Sequence, residues 1–287
     1  MIPFIKMHGC GNDYVFVDCF TSPIPQDPGA LSIAVSDRHR SVGGDGLVLM
    51  LPEAHGGAAA RMRMFNADGS EGSLCGNALR CMAMWLHQSG RCGNQFGIAM
   101  GDRVIPATVI ESDETMRSAV VRVLIGQPVI QNPEATGLSA YVREVSLAGL
   151  AIPELHRPVM HVSMGNPHTI LFVRSLDSVD FFKLGPQIEN HELFPNRTNV
   201  EFVELVETNS RSSGMVRVRV WERGSGETQA CGSGACAVAV AGLCSQVLPG
   251  STPVVISMRG GNLRVFWDER DGVYLEGPAA ESFRGVV

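Results

Sequence analysis

The chain has 287 residues, of which 45% are hydrophobic, and its 23 basic and 29 acidic residues give a net charge of −6. This length predicts one large domain or two of ordinary size, with enough apolar residues for a core in each. The sequence contains no basic block and no apolar run of membrane-spanning length, so we expect neither a nucleic-acid partner nor a membrane partner. Strand-like sequence begins almost at once with no apolar leader, and we expect a cytoplasmic protein.

Hydrophobic periodicity predicts the same order of elements twice along the chain. The first series has strands at 4–7, 14–18, 47–50, 61–65, 96–108 and 118–125, with helices at 32–40 and 78–88. The second has strands at 159–163, 169–173, 200–206, 216–221, 254–256, 262–267 and 273–276, with helices at 178–189 and 235–244. The helix at 235–244 is apolar on nearly every face, which is typical of a helix buried on all sides.

Sequence matches at a nearly constant separation support an ancient duplication. Cys75 and Cys231 lie 156 residues apart, each followed by glycine and an apolar, Ala-rich segment. Gly11-Asn12 recurs 154 residues later as Gly165-Asn166. We therefore predict an α/β protein of α+β type, with two pseudo-symmetric domains. Each would be a curved, barrel-like β-sheet around a central α-helix, with the active site in the cleft between them.

The predicted domain bounds follow from this repeat. The first domain would span 1–117 plus about 274–287 and carry Cys75, and the second would span 118–273 and carry Cys231. The two cysteines would then meet across the cleft.

A cysteine at the start of a helix faces unpaired backbone N–H groups and the positive end of the helix dipole. We therefore expect the pKa of both thiols to fall toward neutrality. Three functions are consistent with two facing cysteines: a redox disulfide, a single covalent nucleophile, or an acid/base pair on opposite faces of one carbon. The duplicated context favours the third, because inverting a stereocentre needs two proton-transfer groups in near mirror relation.

Other uses of the eight cysteines are disfavoured. A chain of this kind seldom carries structural disulfides, and the cysteine and histidine spacings match no zinc site, so no metal is expected. The few lysines lie in no pyridoxal-phosphate motif, and the predicted chemistry needs no cofactor.

An ordered set of motifs spanning nearly the whole chain resembles the diaminopimelate epimerase family. These motifs are His8–Asp13, Phe65–Ser70, Leu74–Arg80, Gly165–His168, Arg197–Asn199, Glu222–Gly224 and Ala230–Cys236. The resemblance implies cofactor-independent, two-base interconversion of LL- and meso-diaminopimelate, for lysine and peptidoglycan precursors. A racemase of another amino acid, of the proline or histidine type, is the alternative on the same fold.

The resemblance also implies roles for individual residues. Cys75 and Cys231 match the acid/base pair, and His168 and Glu222 match groups that tune the cysteines. The residues that match substrate-binding positions are Asn12, Asn66, Gly76, Asn77, Asn166, Asn199, Glu222, Arg223, Gly232 and Ser233. Among these, the two Cys-Gly helix starts would hold the α-carboxylate.

Two positions depart from the family pattern. Some members carry Gln where Gly46 stands, and Ser233 replaces a frequent Thr while keeping the hydroxyl. The sequence leaves the oligomeric state open, with a homodimer as the expected assembly.

Overall fold

The computed structural model describes residues 1–53, 56–72, 74–113, 115, 117–152, 155–206, 214–250 and 253–287. The chain forms two compact units. Unit 1 comprises Met1–Leu124 and Glu276–Val287, and unit 2 comprises Ile125–Leu275. No helix in the described part of the chain is both long and apolar enough to cross a membrane.

The elements follow one another in an order that repeats. The first series is β1 (Pro3–Gly9), β2 (Asn12–Asp18), α1 (Pro28–Ser36), β3 (Gly46–Pro52), β4 (Ala60–Asn66), β5 (Glu71–Gly72), α2 (Gly76–Gln88), β6 (Gln95–Met100), β7 (Arg103–Ser112) and β8 (Ser118–Gly126). A short strand, β9 (Arg143–Val145), comes before the second series. That series is β10 (Val159–Ser163), β11 (Pro167–Val173), α3 (Phe181–Glu189), β12 (Asn199–Val206), β13 (Met215–Glu222), β14 (Gly226–Glu227), α4 (Gly232–Cys244), β15 (Val254–Met258), β16 (Gly261–Asp268) and β17 (Gly272–Val286).

Unit 1 is a closed ring of strands around α2. The ring runs β17, β1, β2, β3, β4, β6, β7 and β8, and β8 pairs again with β17. Within it, β2–β3 and β4–β6 are parallel. Helix α2 contacts β1, β2 and β7 and is buried from Gly76 to Leu86, as a helix inside a barrel must be. Helix α1 packs outside, against β3 and β4.

Unit 2 repeats this pairing. Its strands follow the order β9, β10, β11, β12, β13, β15 and β16, with β11–β12 and β13–β15 parallel. Helix α4 contacts β10, β11, β12, β15 and β16. Its residues from Gly234 to Gly242 are buried, as the apolar sequence predicted. The α+β class and the barrel-like sheet around one helix are therefore confirmed.

Several predicted bounds are wrong for local reasons. Helix α1 occupies Pro28–Ser36 instead of 32–40, because the Asp27 carboxylate caps the Ala30 N–H at 2.9 Å and Pro28 suits the first turn. The predicted strand 96–108 is a hairpin that turns between Met100 and Arg103, at Gly101 with φ of 55°.

The other two differences extend or shorten an element. Helix α3 begins at Phe181 instead of 178, because a 3₁₀ turn, Leu176–Ser178, precedes it. The last strand continues from Gly272 to Val286 instead of stopping at 276, because its final residues pair with β1.

Candidate active site

Each of the two duplicated cysteines is the residue that caps a buried helix. Cys75 precedes α2 and its Sγ accepts a hydrogen bond from the Ala78 N–H at 3.5 Å. Cys231 precedes α4 and its Sγ accepts from the Gly234 N–H at 3.4 Å. Both have extended backbone angles, which is the usual conformation of an N-cap residue. A sulfur in this position serves as the acceptor that Ser or Asp supplies in most helices.

In unit 1, polar groups from three segments surround Cys75. Its Sγ lies 3.7 Å from Asn12 Oδ1 and 3.6 Å from Tyr14 Oη. The Asn12 carbonyl oxygen also accepts from Asn77 Nδ2 at 2.9 Å, and Asn12 Nδ2 donates to Asp45 Oδ2 at 2.6 Å. Two predicted binding residues, Asn12 and Asn77, therefore join Cys75 in one hydrogen-bonded cluster.

In unit 2, Cys231 lies in a comparable cluster. Its Sγ is 3.5 Å from Ser233 Oγ, which accepts from Asn166 Nδ2 at 3.2 Å. The Glu222 carboxylate is hydrogen-bonded to Cys231 and accepts from Thr228 Oγ1 at 2.5 Å. A buried carboxylate beside a thiol can exchange a proton with it, which is the kind of group that acid–base chemistry requires.

His168 and Glu201 form a fully buried pair next to this cluster. His168 Nδ1 lies 2.6 Å from Glu201 Oε1, and its Nε2 lies 3.1 Å from Asn166 Oδ1. Both ring nitrogens therefore face oxygen atoms in surroundings closed to solvent. The pair fixes the orientation of the Asn166 amide, whose nitrogen then faces Ser233.

Arg223 and its neighbours line a cavity of about 780 Å³ in unit 2. Asn199 Oδ1 accepts the Arg223 backbone N–H at 2.9 Å, and Arg223 Nη1 donates to the Asn196 carbonyl at 3.0 Å. Asn166 also lines this cavity, as does Arg197. Guanidinium and amide groups around one opening suit a ligand with a carboxylate.

The remaining predicted positions have separate surroundings. Asn66 Nδ2 donates to Ser70 Oγ at 2.9 Å in the turn between β4 and β5. Gly76 and Gly232 are the first residues of the two central helices. A Cβ on Gly46 would clash with the Phe65 carbonyl oxygen in this backbone conformation.

The expectation of lowered thiol pKa values is wrong. Burial raises the pKa of the Cys75 thiol, although the helix N–H groups, Tyr14 and Arg80 act in the opposite direction. Burial also raises the pKa of Cys231 well above its usual range, and the negative charges of Glu222 and Glu201 add to this effect. The helix start lowers each pKa as expected, but the loss of solvation outweighs it.

Two residues of the site escaped the sequence analysis. Glu201 is buried against His168, and Tyr14 contacts Cys75. The repeat contained a signal for Tyr14, because it stands 154 residues before His168, the separation that relates Asn12 to Asn166. No such signal exists for Glu201, because the strand register matches it to Val48 in the first repeat.

Comparisons with known proteins first define the class of fold. A phenazine biosynthesis protein of the PhzF family from Bacillus anthracis matches with a TM-score of 0.72 at 16% identity, over 100% of this chain and 98% of that one. A probable proline racemase from Agrobacterium radiobacter matches with a TM-score of 0.68 at 14% identity, over 100% and 93%. The chain therefore has the same fold as these two proteins.

Sequence comparison gives the family. The family model for diaminopimelate epimerase matches residues 4–130 and 160–281. The diaminopimelate epimerase of Desulforudis audaxviator is 46% identical over 290 residues, which cover 98% of each chain. The chain belongs to the diaminopimelate epimerase family, and it is an isomerase.

Proposed function

We propose that this enzyme interconverts LL- and meso-diaminopimelate through two cysteines and without a cofactor. One thiolate removes the α-proton from one face of the carbon, and the thiol of the other cysteine delivers a proton to the opposite face. The proton removed stays on the first sulfur, so the pair exchanges roles in each turnover. The observation that carries this proposal is the presence of Cys75 and Cys231 as caps of two equivalent buried helices.

The helix starts also suit the charge that must be held. We assign the backbone N–H groups of Gly76, Asn77, Gly232 and Ser233 to the substrate α-carboxylate, since helix N-termini favour anions. An α-carboxylate opposes formation of the neighbouring carbanion. Hydrogen bonds to that carboxylate stabilise the charge that develops during proton removal.

Proton traffic at Cys231 is assigned to Glu222. The carboxylate lies beside the thiol and is buried, and burial raises its pKa from the usual value for glutamate. A carboxyl group with a raised pKa can hold the proton when the sulfur is a thiolate. His168 acts one step further away, by fixing the Asn166 amide against Ser233.

The distal end of the substrate is assigned to the cavity that Arg223 lines. The guanidinium would bind the second carboxylate, and the amides of Asn166 and Asn199 beside it would contact the second ammonium group. A site built this way rejects ligands that leave its buried polar groups unpaired. The named relatives act on diaminopimelate, which supports this substrate over proline or histidine.

Side-by-side turnover assays test the substrate. Diaminopimelate, lysine, histidine and proline are each incubated with the purified enzyme and their stereoisomers are quantified. Diaminopimelate should turn over fastest, and lysine should react poorly because it lacks the distal carboxylate. Faster turnover of lysine, histidine or proline would contradict the substrate assignment.

Substitutions of cysteine test the mechanism. Cys75→Ser and Cys231→Ser should each lose nearly all epimerisation, because a serine hydroxyl is a far weaker acid and base near neutral pH. Cys92→Ser is the matched control, since this partly exposed cysteine lies outside both clusters. Full activity in either of the first two variants would exclude the two-base scheme.

The assembly and location follow the same proposal. We assign the two units to two catalytic domains that act on one substrate molecule, in a homodimer located in the cytoplasm. Sedimentation of the purified enzyme tests the dimer directly.

A further inference from the structure

Arg80 is a fully buried arginine in the middle of unit 1. It is one of the largest side chains with less than 2% exposure, and it lies in the first turns of α2. Its Nη2 donates to Asn77 Oδ1 at 2.8 Å and its Nε donates to the Pro278 carbonyl at 3.3 Å. Its Nη1 is buried and has no hydrogen-bond partner among the described residues.

Stability alone does not explain this arginine. No carboxylate of the described residues pairs with it, and a buried cation without a partner costs several kcal/mol of desolvation, in order of magnitude. The second half of the chain achieves the same fold without it, because the residue 156 positions later is Cys236, a small neutral side chain on α4. We therefore attribute the charge of Arg80 to the function of unit 1 and not to its folding.

A chain of hydrogen bonds connects Arg80 to Cys75 through Asn77 and Asn12. The guanidinium can only donate, so the Asn77 oxygen must face it and the Asn77 nitrogen must face Asn12. The Asn12 oxygen accepts that bond and lies 3.7 Å from Cys75 Sγ. Asn12 Nδ2 then faces Asp45. One arginine thus sets the orientation of both amides beside the reactive sulfur.

The charge of Arg80 acts on the same sulfur. The other titratable groups that face Cys75 or lie against it are Tyr14, Cys10, Cys81 and, through Asn12, Asp45. None of them is cationic, and the Asp45 carboxylate is already paired with Arg38 at 2.9 Å. Among the described groups around Cys75, Arg80 is therefore the cation that stabilises a Cys75 thiolate.

We propose that Arg80 is a positioning residue for the reaction, which orients Asn77 and Asn12 and favours the thiolate of Cys75 over that of Cys231. This inference rests on the proposed two-cysteine function. It adds a difference between two cysteines that the duplicated sequence makes look equivalent. Cys231 has no arginine at the matching position and instead has the Glu222 carboxylate beside it.

Thiol alkylation measures this difference without relying on turnover. Wild type, Arg80→Met, Arg80→Gln and Arg80→Lys are treated with iodoacetamide from pH 6 upward, to the highest pH at which circular dichroism shows each protein still folded. Peptide mass spectrometry then gives separate rates for Cys75 and Cys231. The pH midpoint of each rate is compared, because restricted access scales the plateau and leaves the midpoint unchanged. Arg61→Met, which removes a paired arginine elsewhere in unit 1, is the matched control.

The wild-type midpoint for Cys75 should lie below that for Cys231. Arg80→Met and Arg80→Gln should raise the Cys75 midpoint by about one pH unit, a tenfold loss of rate at lower pH, and leave Cys231 unchanged. Arg80→Lys should restore most of the wild-type midpoint, and Arg61→Met should match wild type. The pH profile of kcat/KM should move with the Cys75 midpoint.

Three results would overturn the proposal. They are a folded neutral variant with an unchanged Cys75 midpoint, an equal shift at both cysteines, and a wild-type Cys231 midpoint below that of Cys75. The last needs no variant, so it decides the question even if the neutral variants fail to fold. Failure of the proposed function would appear differently, as wild-type protein with the expected thiol midpoints but no turnover of diaminopimelate.

Discussion

The buried pair of His168 and Glu201 makes a quantitative prediction about stability. Both side chains are fully buried, and their polar atoms approach to 2.6 Å. His168→Phe leaves a carboxyl group buried without its partner and should lower the free energy of unfolding by about 3–5 kcal/mol. Glu201→Leu leaves a ring nitrogen of His168 buried without its partner and should cost less, about 1–3 kcal/mol.

The double variant should recover much of this loss. Removing both polar groups leaves an apolar pair, and such replacements of buried pairs are often neutral, within about 1 kcal/mol. By strand register the first repeat carries Tyr14 and Val48 at the matching positions, so the fold already accommodates an uncharged pair. The expected coupling energy between the two substitutions is therefore at least about 2 kcal/mol.

Urea unfolding followed by far-UV circular dichroism measures all four proteins of this cycle. Ser245→Ala, a change at the opposite end of α4, serves as a control for ordinary sensitivity of unit 2. If the loss in free energy of unfolding in the double variant equals the sum of the losses in the two single variants, the pair does not act as a unit. The reasoning about Asn166 orientation would then also fail, because it depends on a fixed imidazole.

Three further variants probe the cavity, the Cys75 cluster and the backbone at Gly46. Arg223→Ala should lower kcat/KM for diaminopimelate by about 100-fold or more, through both KM and kcat, because a substrate carboxylate loses its guanidinium partner. An unchanged KM in steady-state kinetics would refute this. Tyr14→Phe removes the hydroxyl that lowers the pKa of Cys75, so the midpoint of the acidic limb of the pH–kcat/KM profile should rise by about half to one pH unit. An unchanged midpoint would contradict that role. Gly46→Ala places a Cβ against the Phe65 carbonyl and should cost about 1–3 kcal/mol in urea unfolding, whereas an unchanged midpoint would show that the strand shifts freely.

The repeated elements were predictable because each depends on local sequence. The two Cys-Gly segments precede Ala-rich runs, and the structure has a buried helix in both places. The ends of α1 were missed because they depend on capping, where Asp27 and Pro28 outweigh the hydrophobic pattern.

Contacts between distant strands could not be predicted from the sequence. Glu201 meets His168 because β11 and β12 are parallel and in a register that pairs His168 with Asn199. Residue 201 then follows on the same face of β12. The sequence predicted the two strands but not their register, so the contact between the two side chains could not be predicted.

The reactivity of the cysteines was predicted incorrectly because it is a balance of opposed effects. Sequence indicates a helix start, which lowers a thiol pKa, but the extent of burial becomes visible only in the folded chain. Burial is the largest influence on both Cys75 and Cys231. We therefore expect substrate carboxylates and charged neighbours such as Arg80 to decide which sulfur loses its proton.

Isotope exchange during turnover tests the two-base mechanism most directly. LL-diaminopimelate is incubated with the enzyme in deuterated water, and substrate and product are separated and analysed by mass spectrometry at low conversion. The account predicts meso product with one solvent deuterium at the inverted carbon, while unreacted substrate stays unlabelled, because the base that removes the proton is not the acid that delivers the next one. Product that retains its original hydrogen, or early label in substrate and product alike, would contradict two cysteines acting on opposite faces.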